Sequence, residues 1–191
     1  EPIGSREIYS KDIGPGNCLI DSWIRKNSIK KFDQDGKLAS IGKINEIILE
    51  QAQELYANRT EKKKLSFDTS DFDVSFSRGL SIEDGAATLT EFTANIIGDS
   101  ISTFLKKSKL IKKILICGGG RKNKILLKSI AKKLPLKIDL KVIDDYGIDG
   151  DFVESQAFAF LAIRSYLKLP ITFPNTTNCT RPTIGGELID Y

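Results

Sequence analysis

The residues best suited to chemistry form a glycine triplet at the end of an apolar segment. Gly118, Gly119 and Gly120 follow the apolar stretch 113–117 and precede an amphipathic stretch that begins near Asn123. Residues without a Cβ let backbone approach a ligand closely, and the N–H groups that open a helix carry partial positive charge. The pattern predicts a nucleotide-binding loop or a tight strand-to-helix turn without a ligand, and the triplet alone does not separate the two.

A second loop with two glycines lies near the start of the chain, in Asp12-Ile13-Gly14-Pro15-Gly16-Asn17. Gly14 and Gly16 let backbone N–H groups converge on phosphate oxygens, and the proline between them limits the loop's conformations, which lowers the entropy lost on binding. Asn17 stands at the expected N-cap of a helix over 18–26. An ordinary helix start is the alternative, but two glycine loops that each open a helix favour nucleotide binding.

Acidic residues provide candidates for binding a metal ion and a sugar. Asp12 could hold Mg2+ directly or through water, because this ion keeps several waters and takes few carboxylates. The turn 144–151 contains four aspartates and two glycines, which solvation alone would explain. Glu154 differs because it lies on the first turn of an apolar predicted helix over 152–167, where an unbound carboxylate gains only modest energy from the helix dipole. A sugar hydroxyl is a suitable partner for it.

Composition excludes several classes of protein. The 191 residues are 40% hydrophobic, carry a formal net charge of +4 and include no histidine, so a Ser-His-Asp or Cys-His mechanism within this chain is excluded. The three cysteines, at 18, 117 and 179, are too far apart in sequence for a zinc pair and favour a cytoplasmic setting. No apolar run approaches the roughly 20 residues that span a bilayer. Because aromatic residues do not interleave with the lysine clusters, we expect no nucleic-acid partner either.

The predicted elements place both glycine loops at helix starts. Strands over 113–117 and 138–143 alternate with helices over 123–134 and 152–167, an order that predicts an α/β layer with parallel strands and ligands at their carboxyl ends. The helix over 152–167 is expected to be buried, because its apolar and small residues suit close packing.

The upstream half of the chain is predicted to be mainly helical. Ser81 and Asp84 have the form of a capping box, which would begin the longest helix. Apolar residues at helical spacing predict that this helix continues to Lys107. The remaining predictions are a short strand over 6–10, a polar, turn-rich segment over 31–42, an irregular segment over 58–78, and a helix over 44–56 that buries Ile47, Ile48, Ala52 and Leu55.

Five segments, in this order, resemble the C-terminal half of anhydro-N-acetylmuramic acid kinase. The resemblance covers nearly the whole chain and is far more specific than either glycine loop by itself. The segments are Asp12-Ile13-Gly14-Pro15-Gly16-Asn17 with Asp21 and Trp23, Glu83-Asp84-Gly85-Ala86-Ala87-Thr88-Leu89-Thr90 with Phe92-Thr93-Ala94, Cys117-Gly118-Gly119-Gly120 with Asn123, Asp144-Asp145 with Gly147-Ile148-Asp149-Gly150-Asp151, and Glu154 with Ala157-Phe158-Ala159 and Leu161-Ala162.

The resemblance implies a fold and an activity. The fold would be an α/β, ribonuclease H-like lobe of the actin-like ATPase fold, a mixed sheet flanked by helices, with residues 1–191 forming the C-terminal lobe. The activity would be ATP-dependent phosphorylation of 1,6-anhydro-N-acetylmuramic acid with hydrolytic opening of the anhydro ring. The product would be N-acetylmuramic acid 6-phosphate, formed in peptidoglycan recycling, and the cofactors ATP and Mg2+.

The resemblance also assigns roles to residues. Residues Asp12 to Asn17 are similar to a phosphate loop, with Asp12 near the metal, and Gly118 to Asn123 are similar to an adenosine loop. Asp151 and Glu154 fall in the segment that reaches the substrate, and Glu154 is similar to a sugar-contacting carboxylate. Two positions depart from the family pattern, Ser155 and the pair Asn178-Cys179.

The chain is expected to be one half of an enzyme. It begins at Glu1 and has no methionine, and the family's first phosphate loop and catalytic aspartate belong to an N-terminal lobe that these 191 residues do not include. No residue here is therefore expected to act as general base, and we expect the isolated chain to be inactive, with at best weak nucleotide affinity. A homodimer stays open.

Two other classes of function compete with a sugar-kinase lobe. One is a non-catalytic remnant or the product of a split gene, which an in-frame phosphate loop in the DNA upstream of Glu1 would distinguish. The other is a dinucleotide-binding oxidoreductase, which needs the pattern G-x-G-x-x-G. The residues Arg121, Lys122 and Asn123 that follow the triplet spoil that spacing.

Overall fold

The computed structural model describes residues 10–60, 73–107 and 113–189. It divides the chain into two units, one over Ile13–Gly150 and a second that joins the residues up to Asp12 with those from Asp151 onward. Of the predicted elements, the strand over 6–10 lies outside the described residues except for Ser10, which is not in a strand, and most of the irregular segment over 58–78 also lies outside them.

The first unit contains five described helices and a pair of strands. The helices are α1 Cys18–Asn27, α2 Lys37–Ile41, α3 Glu46–Thr60, α4 Ile82–Lys107 and α5 Lys124–Lys133, and the strands are β1 Lys113–Ile116 and β2 Asp139–Val142. Short 3-10 helices cover Gln34–Gly36, Ser75–Ser77, Gly119–Lys122 and Ile143–Tyr146. The predicted bounds of α1, α4, α5 and both strands are confirmed to within two residues.

Helix α4 is the element against which the other helices of this unit pack. One side of it meets α1, α2 and α3 in an apolar core that includes Ile20, Trp23, Leu89 and Phe92. The other side contributes Ala94 to a smaller core with α5 and the strands. A helix with apolar residues on two sides must be covered on both, and α4 therefore fixes the positions of α1 and α5.

The start of α4 shows the hydroxyl half of the predicted capping box, while the carboxylate binds a different partner. The Ser81 hydroxyl accepts a hydrogen bond from the Asp84 N–H at 3.0 Å. The Asp84 carboxylate accepts a bond from the backbone N–H of Lys43 at 2.7 Å, and this bond lowers the pKa of Asp84. The carboxylate of the capping box thus ties the segment between α2 and α3 to α4.

Two predictions for the upstream half are wrong. The segment over 31–42 is not only turns, since it forms a 3-10 helix and α2. In α3 the predicted burial of Ala52 is confirmed, and Leu49 is buried as well, whereas Ile47 is 70% and Leu55 58% exposed. The prediction was wrong for these two residues because apolar residues occur on both sides of this helix, and packing against α4 selects one of them.

The two strands pair in parallel, which confirms the predicted α/β order. Ile114 pairs with Leu140 and Ile116 with Val142, and these four alternate residues are partly buried while their neighbours in each strand are exposed. Ile114 and Leu140 pack towards Leu126 and Ile130 of α5. In the part of the chain that the structure describes, the sheet has these two strands.

The second unit contains α6 Val153–Tyr166 and the short helix α7 Pro174–Thr177. An antiparallel bridge joins Thr172 to Thr183, and the Ser10 N–H donates to the Asn175 carbonyl at 3.1 Å. The predicted position of α6 is confirmed, but its predicted burial is wrong, since none of its residues is buried. Apolar composition alone does not reveal whether the surface that would cover a helix belongs to the same unit.

The packing of α1 against α4 can be tested at Gly85. A Cβ at this position would lie 2.3 Å from Cε2 of Trp23, whose Nε1 donates to the Ile82 carbonyl at 2.9 Å. We expect Gly85→Ala to lower the free energy of unfolding by about 1–3 kcal/mol through overpacking, despite the better helix propensity of alanine. Urea unfolding measures the change.

The matched control for that variant is Gly119→Ala. A Cβ at Gly119 would meet nothing within 4 Å, and we expect its stability to change by less than about 0.5 kcal/mol. If Gly85→Ala were as stable as this control, the close packing of Trp23 on α4 would be refuted.

Candidate nucleotide-binding site

The glycine triplet lies between β1 and α5, as the sequence predicts. β1 ends at Ile116, Cys117 is exposed, and a 3-10 helix over Gly119–Lys122 leads to the N-cap of α5. The cap is Asn123, whose Oδ1 accepts a hydrogen bond from the Leu126 N–H at 3.0 Å. The triplet thus occupies the carboxyl end of a parallel strand, where α/β sheets commonly bind ligands.

The three glycines differ in what the fold requires of them. Gly118 has φ of 75°, a conformation that favours glycine. Gly119 and Gly120 have no such constraint, and a Cβ at Gly119 would meet nothing within 4 Å, while one at Gly120 would lie 3.9 Å from Leu126. Neither backbone conformation nor packing within the described residues explains these two glycines.

Glycines in the first loop have structural roles. A Cβ at Gly14 would lie 2.7 Å from Cγ2 of Ile96 on α4, and Gly16 has φ of 53°. Asn17 stands at the predicted N-cap of α1, but its side chain makes no capping bond. Instead its Nδ2 donates to Oδ1 of Asp21 at 3.4 Å. The close contact with Ile96 fixes the start of α1 on α4.

An asparagine in each loop has one buried polar atom without a hydrogen-bond partner among the described residues. These atoms are Oδ1 of Asn17 and Nδ2 of Asn123, and Asn123 is only 2% exposed. A buried group left unbonded costs about 1–3 kcal/mol, so such a group calls for an explanation. Three core hydroxyls, those of Ser77, Thr90 and Thr93, are also unbonded. An unbonded polar atom alone therefore does not indicate a site, and the two asparagines stand out because each lies in a predicted nucleotide-binding loop.

The surroundings of Asn123 include a residue distant in sequence. Gly36, at φ of 74°, lies so close that a Cβ there would be 2.5 Å from Oδ1 of Asn123 and 2.9 Å from Cβ of Ile125. The turn before α2 therefore packs directly on the start of α5.

Sequence reasoning missed Arg121. Its side chain is 5% exposed, and Nε lies 2.6 Å from Oδ2 of Asp144. The guanidinium also donates through Nη2 to Oδ1 of Asp144 at 3.0 Å and through Nη1 to the Gly118 carbonyl at 3.0 Å. The hydrogen bond from Arg121 lowers the pKa of Asp144. The available signal was a basic residue next to the triplet and an aspartate directly after β2, at neighbouring carboxyl ends of parallel strands.

The remaining predicted site residues lie in the second unit. Asp12, Asp151 and Glu154 are all exposed, and Glu154 is on the first turn of α6, as predicted. The premise that this helix is buried is wrong, so the sugar-binding roles of Asp151 and Glu154 stay predictions. Among the described residues there is no cluster of three or more His, Cys, Asp or Glu that could hold a metal ion.

Membrane insertion finds no support in the helices. Within residues 10–60, 73–107 and 113–189, no helix combines the length and apolar character needed to cross a bilayer.

Comparison with known proteins identifies relatives that carry the name of a carbohydrate kinase. The chain is 53% identical over 188 residues to an anhydro-N-acetylmuramic acid kinase of Pelagibacter ubique. The aligned region covers 97% of this chain and 50% of the relative. Proteins of the same name are 36% identical in Zymomonas mobilis, over 97% of this chain and 50% of theirs, and 39% identical in Rhodospirillum rubrum, over 96% and 47%.

The family profile for anhydro-N-acetylmuramic acid kinase matches residues 3–190. The chain belongs to this family. It spans about half the length of the curated relatives it matches.

The pair of Arg121 and Asp144 makes stability depend on pH. Because the folded-state pKa of Asp144 is lowered by Arg121, the carboxylate stabilises the fold above its unfolded pKa of about 3.9, and this stabilisation is lost as pH falls through the lower, folded pKa. We expect Asp144→Asn to be less stable than wild type at pH 7 and to approach it at acidic pH.

Urea unfolding of both proteins between pH 7 and pH 2 measures this difference. The control is Asp139→Asn, which breaks an exposed ion pair with Lys141 at 3.8 Å and should change stability little at any pH. A difference between wild type and Asp144→Asn that stayed constant down to pH 2 would rule out the ion pair as its source.

Proposed function

We propose that the chain is the nucleotide-binding half of an enzyme that phosphorylates 1,6-anhydro-N-acetylmuramic acid with ATP and opens the anhydro ring with water. The product would be N-acetylmuramic acid 6-phosphate, as peptidoglycan recycling requires. Family membership supports the reaction. The observation that carries the nucleotide role is the open space at Gly119, in a glycine loop at the carboxyl end of β1.

The two loops would divide the nucleotide between them. Backbone at Gly119 and Gly120 would lie against the adenosine. The loop from Gly14 to Asn17 would receive the phosphates at the start of α1, where the helix dipole favours negative charge. This division accounts for the fact that each loop opens a helix of the first unit.

Mg2+ would enter with the phosphates. A single exposed carboxylate, that of Asp12, fits an ion that keeps most of its water and takes further oxygens from the nucleotide. When bound, the ion would neutralise charge on the phosphates. Asp12 would hold it through water, and the chain needs no acidic cluster for this role.

The sugar would be contacted by exposed carboxylates. Those of Asp151 and Glu154 are able to accept hydrogen bonds from hydroxyls. Phosphoryl transfer depends mainly on positioning and charge stabilisation, and half of the relatives' length would supply only part of both. We therefore expect no turnover from this chain alone.

The surface of α6 is where the other half of the family's protein would pack. Phe158 is 66%, Ile163 59% and Tyr166 66% exposed, and large exposed apolar side chains grouped on one helix are typical of surface that other protein covers. The matched relatives are about twice as long as this chain, so they contain a further segment of about equal length that could cover this surface. A second copy of this chain and a non-catalytic remnant are the alternatives.

Cysteine alkylation can test the division of the nucleotide between the loops. Cys117 directly precedes the triplet and Cys18 directly follows Asn17. Burial raises the pKa of the Cys18 thiol, and the negative charge of Asp21 raises it further. Cys18 should therefore react more slowly than the exposed Cys117. We expect an ATP analogue at millimolar concentration with Mg2+ to protect both thiols from alkylation. Adenosine alone should protect Cys117, and inorganic triphosphate alone should protect Cys18. Mass spectrometry measures the extent of alkylation at each thiol.

Controls for this experiment lie within the chain. Cys179 belongs to the second unit and should be alkylated at the same rate with and without nucleotide. Gly119→Ala should weaken the protection of Cys117 several-fold and leave triphosphate protection of Cys18 intact. Protection of neither thiol at saturating nucleotide would refute the nucleotide role, and protection of one alone would refute the division.

Association with the other half can be tested by co-expression. We expect the chain to co-purify with the N-terminal half of the Pelagibacter ubique relative and to gain kinase activity in that complex. The substitution Phe158→Ser should lower the affinity between the two halves at least tenfold. Phe32→Ser is the matched control because Phe32 is 52% exposed but lies outside α6.

Three results would contradict this assignment. Sugar phosphorylation by the chain alone would show that no other half is needed. A stable dimer of the chain in sedimentation, disrupted by Phe158→Ser, would assign the surface to a second copy. A complex without kinase activity would favour the non-catalytic alternative.

A further inference from the structure

Arg121 joins two segments that are far apart in sequence. Its guanidinium binds both carboxylate oxygens of Asp144 and the Gly118 carbonyl, and Nη2 lies 3.6 Å from Oδ1 of Asp149. One side of this contact is the glycine triplet after β1. The other is the turn after β2.

The backbone reinforces the same junction. The Gly118 N–H donates to the Gly150 carbonyl at 3.0 Å. A Cβ at Gly150 would lie 2.3 Å from Nε of Arg121, so a side chain at position 150 would displace the guanidinium. The N–H and the carbonyl of Gly118 are thus both anchored to this junction.

We propose that Arg121 is a positioning residue, which holds the glycine triplet against the turn 144–150 in the conformation that receives the nucleotide. The nature of the ligand rests on the proposed function, whereas the positioning of the loop does not. The reason to assign orientation in addition to stability is geometric. The Asp144 side chain is 42% exposed and that of Arg121 only 5%, so the pair contributes to stability through the shielded guanidinium, and its bidentate geometry also fixes direction strongly.

Lysine cannot replace this arrangement. It would keep the positive charge, but one ammonium group lacks the planar fork that reaches two carboxylate oxygens and a carbonyl together. Arg121→Lys therefore separates charge from geometry. It leaves the candidate ligand contacts at Gly119, Gly120 and Asn123 chemically unchanged.

The first test measures loop order without nucleotide. Hydrogen exchange of the amides from Gly118 to Gly120 and of Gly150, together with alkylation of Cys117, is compared in wild type, Arg121→Lys and Asp144→Asn. We expect exchange and alkylation to be several-fold faster in both variants, at a temperature where each is folded. The control Asp139→Asn should match wild type. Unchanged rates in both variants would overturn the proposal.

The second test measures affinity for an ATP analogue by titration, well below each unfolding midpoint. We expect Arg121→Lys to weaken binding about tenfold, which corresponds to about 1.4 kcal/mol, while its unfolding midpoint stays near that of wild type. A purely structural role predicts weaker binding only in proportion to the unfolded fraction, and that result would also overturn the proposal. If wild type itself bound no analogue, the proposed function would fail, and the exchange experiment alone would decide the role of Arg121.

Discussion

The burial of α4 on two sides is the constraint on which the first unit depends. Its residues pack on α1, α2 and α3 through the larger core and on α5 through the smaller one. An ion pair between Lys133 and Glu91, at 2.6 Å and largely shielded from water, adds a polar link between α5 and α4. Because a glycine loop precedes each of α1 and α5, and both helices pack on α4, the position of α4 fixes the positions of both loops.

Glycine serves different physical purposes in the two loops. Gly14 permits contact with Ile96, and Gly16 and Gly118 permit a left-handed backbone. Gly119 and Gly120 serve neither purpose within the described residues. A sequence motif therefore contains both residues that build the loop and residues that leave space beside it, and coordinates are needed to distinguish them.

The sequence predicted what depends on local pattern. The bounds of α1, α4, α5 and α6 and the parallel strands follow from periodicity, capping residues and element order, and they are confirmed to within two residues. The burial of Ile47 and Leu55 in α3 and of α6 was predicted wrongly, because burial depends on which surfaces meet in three dimensions. Arg121 was missed for a similar reason, since its partner Asp144 lies 23 residues away. The predicted ligand roles depend on molecules outside the chain, and only binding experiments reach them.

The contact of Gly36 with Asn123 has a consequence for how this family can vary. Any larger residue at position 36 would push on the amide that caps α5, so the turn before α2 and the loop after β1 are expected to change together among homologues. Comparison of many relatives should show the two positions covarying, although 86 residues lie between them. Selection for the loop would then extend to a turn that contacts no substrate.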